Sequence, residues 1–250
     1  MNRALLIRLC LLGLAAGALE LACRTGKITR FSMVPPSEMV MTLIEKLGVA
    51  DNVRIFSLTF GSIAISAIAA ITVGFFTGAI LHRLPRIRRA LDPYLAAYYS
   101  IPIFAFYPMF IVIFGVNHIP IILVGYLMAV VAMMTNTLNG LDSIPRVLIK
   151  SSLALRLDRI DSTFRITLPA TFPYLITGAK FAVAYSCVGV IGAEFIMSDK
   201  GLGYEIGFAF NDFDNAGMYA LILLVVIAVS LINMALSSWE RRVFRQRGMQ

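Results

Sequence analysis

The chain has 250 residues, of which 59% are hydrophobic and only 14% are charged, and its formal net charge is +8. That polar fraction is too small to cover an ordinary soluble domain of this length. Several apolar runs reach or approach the roughly 20 residues that a helix needs to cross about 30 Å of hydrocarbon. The composition therefore predicts an all-α, polytopic membrane protein. The basic residues indicate membrane topology rather than a nucleic-acid surface.

The first predicted span covers residues 4–23 and is interrupted by Arg8. A cleaved signal peptide is the alternative, because Arg3 precedes a short apolar core and small residues follow it. We expect an uncleaved span, since Glu20 stands three residues before Cys23, where a lipoprotein signal would carry an apolar residue. The connection that follows is polar and is predicted to contain a short helix over residues 38–47.

The second predicted span covers residues 57–80 and is rich in Ala, Gly, Ser and Thr. Small residues allow close helix–helix approach, so we expect this span inside a bundle. Four cations follow in one short loop: Arg83, Arg86, Arg88 and Arg89. By the positive-inside bias this loop is cytoplasmic, which also puts the amino terminus inside.

The third predicted span, residues 95–115, carries Pro102 and Pro108, and each proline is expected to kink it. His118 follows in an outer turn. The fourth span covers residues 121–138 and returns to the cytoplasm.

The interval 143–172 is then a cytoplasmic loop. Apolar residues recur there at helical spacing, which predicts one amphipathic helix that ends or kinks at Pro169. This stripe consists of Leu153, Leu157, Ile160, Phe164 and Leu168. Asp161 and Arg165 are spaced as an i,i+4 ion pair.

The fifth predicted span covers residues 173–196 and includes Glu194 near its end. A carboxylate there is costly unless it is paired, hydrated or turned inward. Two roles are open for the Glu194 carboxylate. It could accept hydrogen bonds from backbone amides of the next loop, or it could contact the substrate directly. An outer loop extends to the last span, residues 219–237, and an inner tail follows with Arg241, Arg242, Arg245 and Arg247. The prediction is a single domain, 1–250, with six transmembrane helices and both termini cytoplasmic.

The sequence shows no motif for catalysis. No phosphate-binding Gly-rich loop with Lys is present, no His, Cys or carboxylate cluster has metal spacing, and the two histidines support no Ser/His/Asp set. The three cysteines, Cys10, Cys23 and Cys187, lie in or beside apolar runs. We therefore expect no enzyme activity, and any energy for transport must come from a partner.

The interval around Lys150 resembles the cytoplasmic coupling loop, often called the EAA loop, of ABC importer permeases. Ile166, Leu168 and Pro169 match its closing I-x-L-P. Counting back places Arg156 at the motif glycine and Lys150-Ser151-Ser152 at E-A-A, so the first half of the motif departs from the family pattern. PPSEMVMTLIEKL, SIPIFAFYPMFIVIFG, NTLNGLDSIP, LPATFPYLITGAKFA and AEFIMSDKGLGYEI resemble the subgroup that serves nitrate, taurine and alkanesulfonate.

This resemblance implies a type I, binding-protein-dependent ABC importer permease fold in a bacterial inner membrane, with a cytoplasmic coupling helix. It implies a second permease chain, a cytoplasmic ATPase dimer that binds ATP and Mg²⁺, a periplasmic substrate-binding protein, and no cofactor in this chain. ATPase coupling is expected from Arg146, Lys150, Ser151, Ser152, Leu153, Arg156, Ile166, Leu168 and Pro169. The translocation pathway is expected to include Tyr98, Tyr99, Pro102, Phe104, Asn136 and Glu194.

The sequence does not decide which class of substrate is transported. A small solute of the nitrate, sulfonate or taurine type follows from the resemblance. The aromatic, neutral side chains expected along the pathway leave a heterocyclic or aromatic compound, such as a thiamine precursor, as an alternative. A non-transporting membrane scaffold is the more distant possibility.

Overall fold

The structure, a computed structural model, describes residues 3–246. Side chains 3–6, 8, 9, 159, 197, 239 and 242–246 are outside that description, and so is Arg247 of the predicted tail. The chain is almost entirely helical. The helices are α1 (Arg3–Arg24), α2 (Pro36–Leu47), α3 (Ala50–Arg83), α4 (Pro85–Ala97), α5 (Tyr107–Phe114), α6 (His118–Asp142), α7 (Arg146–Ala154), α8 (Arg159–Ser162), α9 (Leu168–Met197), α10 (Leu202–Asn211) and α11 (Asn215–Gln246).

Four stretches of the described chain are long and apolar enough to cross a membrane: α3, α6, residues 160–196, and the first 24 residues of α11. They correspond to four of the predicted spans. A bent pair of shorter segments, which include α4 and α5, makes a fifth candidate. Helix α1 covers the first predicted span, residues 4–23, and its side chains 3–6, 8 and 9 lie outside the described part.

The third predicted span is broken rather than kinked. Pro85–Ser100 and Ile103–Phe114 meet at an angle of 88°. Pro102 lies in the break between two 3₁₀ turns. Pro108 was predicted to kink a helix, but it occupies the first turn of α5, where its missing N–H would have no helical partner.

The predicted outer loop before the last span also differs from the structure. Residues 202–211 form α10, and α11 begins at Asn215. Ser198, Asp199, Lys200, Gly201 and Gly203 have turn composition and favoured a loop here, so the helix that begins at Leu202 was missed. Gly201 is the residue before α10 and has a φ of 119°, a backbone conformation that favours glycine.

The described chain divides into two compact units. The first comprises the residues up to Leu58 together with Glu194–Leu231. Hydrogen bonds connect its polar segments. The Ser37 amide donates to Oε2 of Glu20 at 3.0 Å, and the hydroxyl of Tyr219 donates to the Ser32 carbonyl at 2.7 Å.

The second unit comprises Thr59–Ala193 and the described residues from Ile232 onward. Its core contains Ala70 of α3, Ala129 and Met133 of α6, and Ala182 of α9, all fully or almost fully buried. Where Gly189 of α9 meets Gly125 of α6, a Cβ added to Gly189 would lie 2.6 Å from Cα of Gly125. Small residues therefore allow α6 and α9 to pack closely. Gly74 gives α3 the close approach predicted from the sequence, since a Cβ there would lie 2.7 Å from the Val130 carbonyl of α6.

Candidate functional site

Helix α7 lies in the interval where the sequence predicted a coupling helix, and it presents apolar side chains to its surroundings. It is nine residues long and begins directly after Pro145. Val147 and Leu153 are each more than 70% exposed, and Ile149 is about half exposed. Ser152, by contrast, is buried, and its hydroxyl donates to the Ile149 carbonyl at 2.7 Å. Unpartnered apolar side chains of this kind are typical of a surface that binds another protein.

The carboxyl end of α7 is closed by a Schellman motif. The Arg156 amide donates to the Leu153 carbonyl at 3.0 Å, and the Leu157 amide donates to the Ser152 carbonyl at 3.0 Å. Arg156 has a φ of 48°, so it occupies the left-handed position that this motif usually gives to glycine. The position that the motif spacing aligned with glycine is therefore the one whose backbone favours glycine.

The prediction of one amphipathic helix through this interval is wrong. Helix α7 ends at Ala154, and the next helical turn begins at Arg159. The five stripe residues therefore do not share one helix face, although Leu153, Ile160 and Phe164 are each well exposed. The helical spacing of apolar residues continues across the break between α7 and α8. Periodicity alone therefore does not reveal this break.

A π-helical turn, Thr163–Thr167, joins α8 to α9. Pro169 was predicted to end or kink a helix; it stands directly after the π turn, within a helical stretch that is continuous over residues 160–196, so it lies at a distortion of that stretch. The i,i+4 pair predicted in this segment is present, with Arg165 Nε 3.3 Å from Asp161 Oδ1. Such π turns occur often at functional positions and interrupt the regular bonding of a helix.

The residues expected to couple to an ATPase differ in exposure. On α7 and its cap, the exposed ones are Arg146, Lys150, Leu153 and Arg156, while Ser151 is half-buried and Ser152 is buried. The closing residues Ile166, Leu168 and Pro169 are half-buried. Ser152, Ile166 and Leu168 line one groove of about 330 Å³, so the two halves of the motif face a common space.

Four of the six predicted pathway residues line one cavity of about 170 Å³ in the second unit. They are Tyr98, Tyr99, Pro102 and Phe104, and the remaining lining residues are Ile101, Ile103, Met128 and Tyr185. None of these eight side chains carries a formal charge at neutral pH. The cavity offers mainly aromatic and aliphatic surface to a ligand.

Aromatic rings form a continuous row beside this cavity. The Tyr99 ring lies 6.2 Å from Tyr98 and 6.2 Å from Tyr185, and the Tyr185 ring lies 6.3 Å from Phe181. The hydroxyl of Tyr98 donates to the Leu127 carbonyl at 2.7 Å, which fixes that ring. Sequence reasoning missed Tyr185 and Phe181; a tyrosine within the apolar run of α9 was the available signal.

The ring of Phe104 is seated against the backbone of α9. A Cβ added to Gly192 would lie 2.6 Å from one atom of this ring and 2.8 Å from another. The absence of a side chain at Gly192 therefore makes room for Phe104 in the cavity wall.

The two remaining pathway candidates lie elsewhere. Asn136 does not line the cavity, and its side-chain amide donates to the Ala132 carbonyl at 2.8 Å. Glu194 belongs to the first unit, is 1% exposed, and accepts a hydrogen bond from the Gly203 amide at 3.0 Å. Its carboxylate thus caps the amino terminus of α10, which is the structural role considered from the sequence.

An ion pair within the second unit was not predicted from the sequence. Lys180 of α9 donates to the Glu240 carboxylate of α11. Both side chains are less than one quarter exposed. A cation in the middle of an apolar run requires a partner of opposite charge. The position of Lys180 in the apolar run of α9 was therefore the sequence signal that could have revealed this ion pair.

The described residues contain no group of three or more His, Cys, Asp or Glu side chains that could hold a metal ion.

Comparisons with known proteins give consistent results. Residues 70–247 match the model of a family described as "Binding-protein-dependent transport system inner membrane component". The nitrate import permease protein NrtB of Synechococcus elongatus is 27% identical over 184 residues, which are 72% of this chain and 66% of the relative. The taurine transport system permease protein TauC of Escherichia coli is 25% identical over 181 residues, again 72% of this chain and 66% of the relative.

Among solved structures, a chain of the MetNI methionine ABC transporter in inward facing conformations has a TM-score of 0.64 and 22% identity. The match covers 76% of this chain and 95% of that one. It shows a common fold.

Proposed function

The chain belongs to the family of binding-protein-dependent transport system inner membrane components, and on that premise we propose that it is the permease subunit of an ATP-driven ABC importer. The predicted resemblance to ABC importer permeases of the nitrate and taurine subgroup is confirmed. The chain is a multi-pass protein of the inner membrane. The full activity, the substrate and the partners belong to the proposal.

In the proposed arrangement the single permease domain crosses the membrane six times, with α1 and the bent pair counted as spans and both termini in the cytoplasm. Two permease chains, alike or different, enclose the translocation pathway. A cytoplasmic ATPase dimer binds ATP and Mg²⁺ and hydrolyses ATP, and a periplasmic binding protein delivers the solute. Closure of the ATPase dimer then moves the helices as rigid bodies between outward- and inward-facing states.

The observation that carries this proposal is the form of α7. It is a short helix with exposed Val147, Ile149 and Leu153, and it ends in a tight turn at the position of the motif glycine. Leu153 would occupy a cleft on the ATPase, as an apolar side chain of a helix occupies a groove. Val147 and Ile149 are two residues apart, about 160° around the helix, so they cannot both enter that cleft, and Ile149 instead lines the groove beside Ile166. Arg146 and Lys150 precede Leu153 by seven and three residues, so they share its side of α7 and would contact the rim of the cleft.

Replacing Leu153 by Asp tests the coupling assignment. An aspartate in a desolvated cleft is strongly unfavourable, so we expect the nucleotide-binding subunit to be lost from the purified complex. Ile160→Asp is the matched control, because Ile160 is equally apolar and exposed but lies outside α7. Unchanged recovery with Leu153→Asp, or equal loss with both variants, would contradict the assignment to α7.

For the substrate, we propose a small solute of the nitrate, sulfonate or taurine type, supported by the relatives. The cavity formed by Tyr98, Tyr99 and Tyr185 favours a second candidate, a heterocyclic or aromatic compound. Flat rings stack on aromatic faces, whereas a bare anion gains little from them. The test is solute-stimulated ATP hydrolysis by the reconstituted complex, measured with nitrate, taurine and an aminopyrimidine. The solute that stimulates hydrolysis distinguishes the two substrate classes. Absence of stimulation by any solute would favour the scaffold alternative over a transporter.

A further inference from the structure

Asp142 is the last residue of α6, a position where a carboxylate is electrostatically unfavourable. The carbonyl groups at the end of a helix carry partial negative charge and attract cations rather than anions. Two side chains from other helices of the second unit approach this carboxylate. Arg88 of α4 donates to its two oxygens at 2.9 Å and 2.6 Å, and Nδ1 of His82 in α3 lies 3.2 Å from Oδ1.

The pair with Arg88 is the main interaction of the Asp142 carboxylate. Its geometry is bidentate, and two parallel charge-assisted bonds fix the relative position of the two groups. The Arg88 side chain is 26% exposed and that of Asp142 is 41% exposed, so water screens the pair only in part. His82 contributes less, because its buried Nδ1 makes no hydrogen bond of suitable geometry among the described residues despite the short distance.

Helix α4 has little else within the chain that could fix its position. None of its residues is buried. Pro93 also removes one backbone hydrogen bond from the middle of the helix. An element with so few buried apolar contacts shifts or opens locally at a low cost in free energy. The position of α4 relative to α6 therefore depends on polar contacts.

Helix α4 leads directly into the aromatic cavity, where a second polar contact with α6 is found. It ends at Ala97, and the next two residues are Tyr98 and Tyr99 of the cavity wall. The Tyr98 hydroxyl donates to the Leu127 carbonyl of α6 at 2.7 Å. Arg88 and Tyr98 are ten residues apart, about 15 Å along a helix. Helix α4 is thus attached to α6 near both of its ends, and the two cavity tyrosines follow one of these ends.

We infer that Arg88 and Asp142 are positioning residues for the solute, because their ion pair holds α4 against α6 and thereby places Tyr98 and Tyr99 in the cavity wall. Neither Arg88 nor Asp142 lines the cavity, so both act through α4. The effect on the solute rests on the proposed function, in which the cavity binds the solute. The attachment of α4 by the pair does not rest on it.

Hydrogen–deuterium exchange of the purified full-length protein tests the attachment. Glutamine at position 88 cannot form the charged bidentate pair, so the amides of residues 94–101 should exchange about fivefold faster in Arg88→Gln than in the wild type. Arg89→Gln is the matched control. It removes the same charge from the same helix, and among the described residues Arg89 donates only to the Pro85 carbonyl, within α4. Exchange should be unchanged in this control.

A comparison of three variants shows whether the two residues act as one unit. Asp142→Asn should accelerate exchange of residues 94–101 as much as Arg88→Gln, and the double variant should be no faster than either single variant. Arg88→Lys keeps the charge and one bond to the carboxylate, so its effect should be smaller. Circular dichroism and a melting curve establish that all variants are folded.

Solute-stimulated ATP hydrolysis by the reconstituted complex tests the consequence for the cavity, with nitrate, taurine and an aminopyrimidine as probes. Displaced tyrosines bind the solute less well. Arg88→Gln should therefore raise the half-stimulating solute concentration about fivefold and leave the maximal rate within about twofold of the wild type. A general folding defect would lower the maximal rate instead.

The outcomes separate this inference from the proposed function. Unchanged exchange in Arg88→Gln, equally fast exchange in Arg89→Gln, or additive effects of Arg88→Gln and Asp142→Asn would overturn the attachment. A lower maximal rate at an unchanged half-stimulating concentration would overturn the role in solute positioning. A wild-type complex that none of the three solutes stimulates would contradict the proposed function and the solute role together, whereas faster exchange in Arg88→Gln would still support the attachment of α4.

Discussion

Replacing Arg156 by glycine should stabilise the turn that closes α7. Arg156 has a φ of 48°, and a residue with a Cβ in this conformation carries about 1–2 kcal/mol of strain. Glycine removes that strain but costs about 0.5–1 kcal/mol in unfolded-state entropy. The expected net gain is therefore about 0.5–1 kcal/mol.

Alanine at the same position separates the backbone effect from the loss of the arginine side chain. In a left-handed conformation glycine should be more stable than alanine by about 1 kcal/mol. In an ordinary right-handed helical conformation the order reverses, and glycine should be less stable than alanine by about 1 kcal/mol. The sign of the difference between Arg156→Gly and Arg156→Ala therefore reports the backbone conformation directly.

Hydrogen–deuterium exchange measures this difference locally. The amides of Arg156 and Leu157 donate the two bonds that close α7, so a peptide covering residues 152–160 should report their opening. A difference of about 1 kcal/mol corresponds to roughly fivefold slower exchange in the glycine variant than in the alanine variant. Faster exchange in the glycine variant would refute the left-handed assignment and the alignment with the motif glycine.

Three further substitutions test the packing and the charges by thermal denaturation in detergent. Gly201→Ala should destabilise by about 3 kcal/mol, because φ is 119° and the new methyl would lie 2.5 Å from both oxygens of the carboxylate that caps α10; an unchanged melting temperature would contradict this. Gly192→Ala should cost about 1–3 kcal/mol and reduce solute-stimulated ATP hydrolysis, because it displaces the Phe104 ring from the cavity wall. Lys180→Met should destabilise the folded protein by about 2 kcal/mol, because it leaves the Glu240 carboxylate unpaired. Adding Glu240→Gln should restore most of the lost stability. Additive losses in the double variant would show that the two residues are not coupled.

The sequence predicted much of the helical architecture because long apolar runs have few alternatives in a membrane protein. Spans 57–80, 121–138, 173–196 and 219–237 each fall within a helix of the structure. Span 95–115 was more difficult. Two prolines indicated distortion there, but whether a proline kinks a helix or begins one depends on packing that the sequence does not show.

The sequence located some features of the candidate site and missed others, and each outcome has a physical reason. Motif spacing aligned Arg156 with the motif glycine, and the left-handed backbone of Arg156 is consistent with that alignment, because a fixed number of residues separates it from Pro169 whatever the intervening conformation. The apolar stripe from Leu153 to Leu168 was misleading, because helical spacing can continue across a break that is closed by backbone hydrogen bonds alone. Tyr185 was missed because its proximity to Tyr99 depends on how α9 packs, which no local pattern contains.

The proposed coupling segment and the cavity are connected through one helix. Helix α9 begins at Leu168, directly after the π turn, and continues to Tyr185 in the cavity wall and to Gly192, which lies behind the Phe104 ring. From Leu168 to Tyr185 the helical rise is about 26 Å, at about 1.5 Å per residue. Pro173 lies within this length and has no N–H to donate, so the regular backbone bonding that makes a helix stiff along its axis is interrupted at that residue.

The π turn at Thr163–Thr167 is the interruption nearest to α7 in this connection, and it is where a displacement of α7 would be absorbed or transmitted. If the turn is held by its contacts with α7, a movement imposed on α7 by an ATPase reaches Tyr185 as a shift of the whole helix, as expected for rigid-body transmission. Two glycines inserted within Thr163–Thr167 should therefore leave ATPase binding through Leu153 intact while they abolish solute-stimulated hydrolysis. Retained stimulation would show that α9 is not the path by which the two sites are coupled.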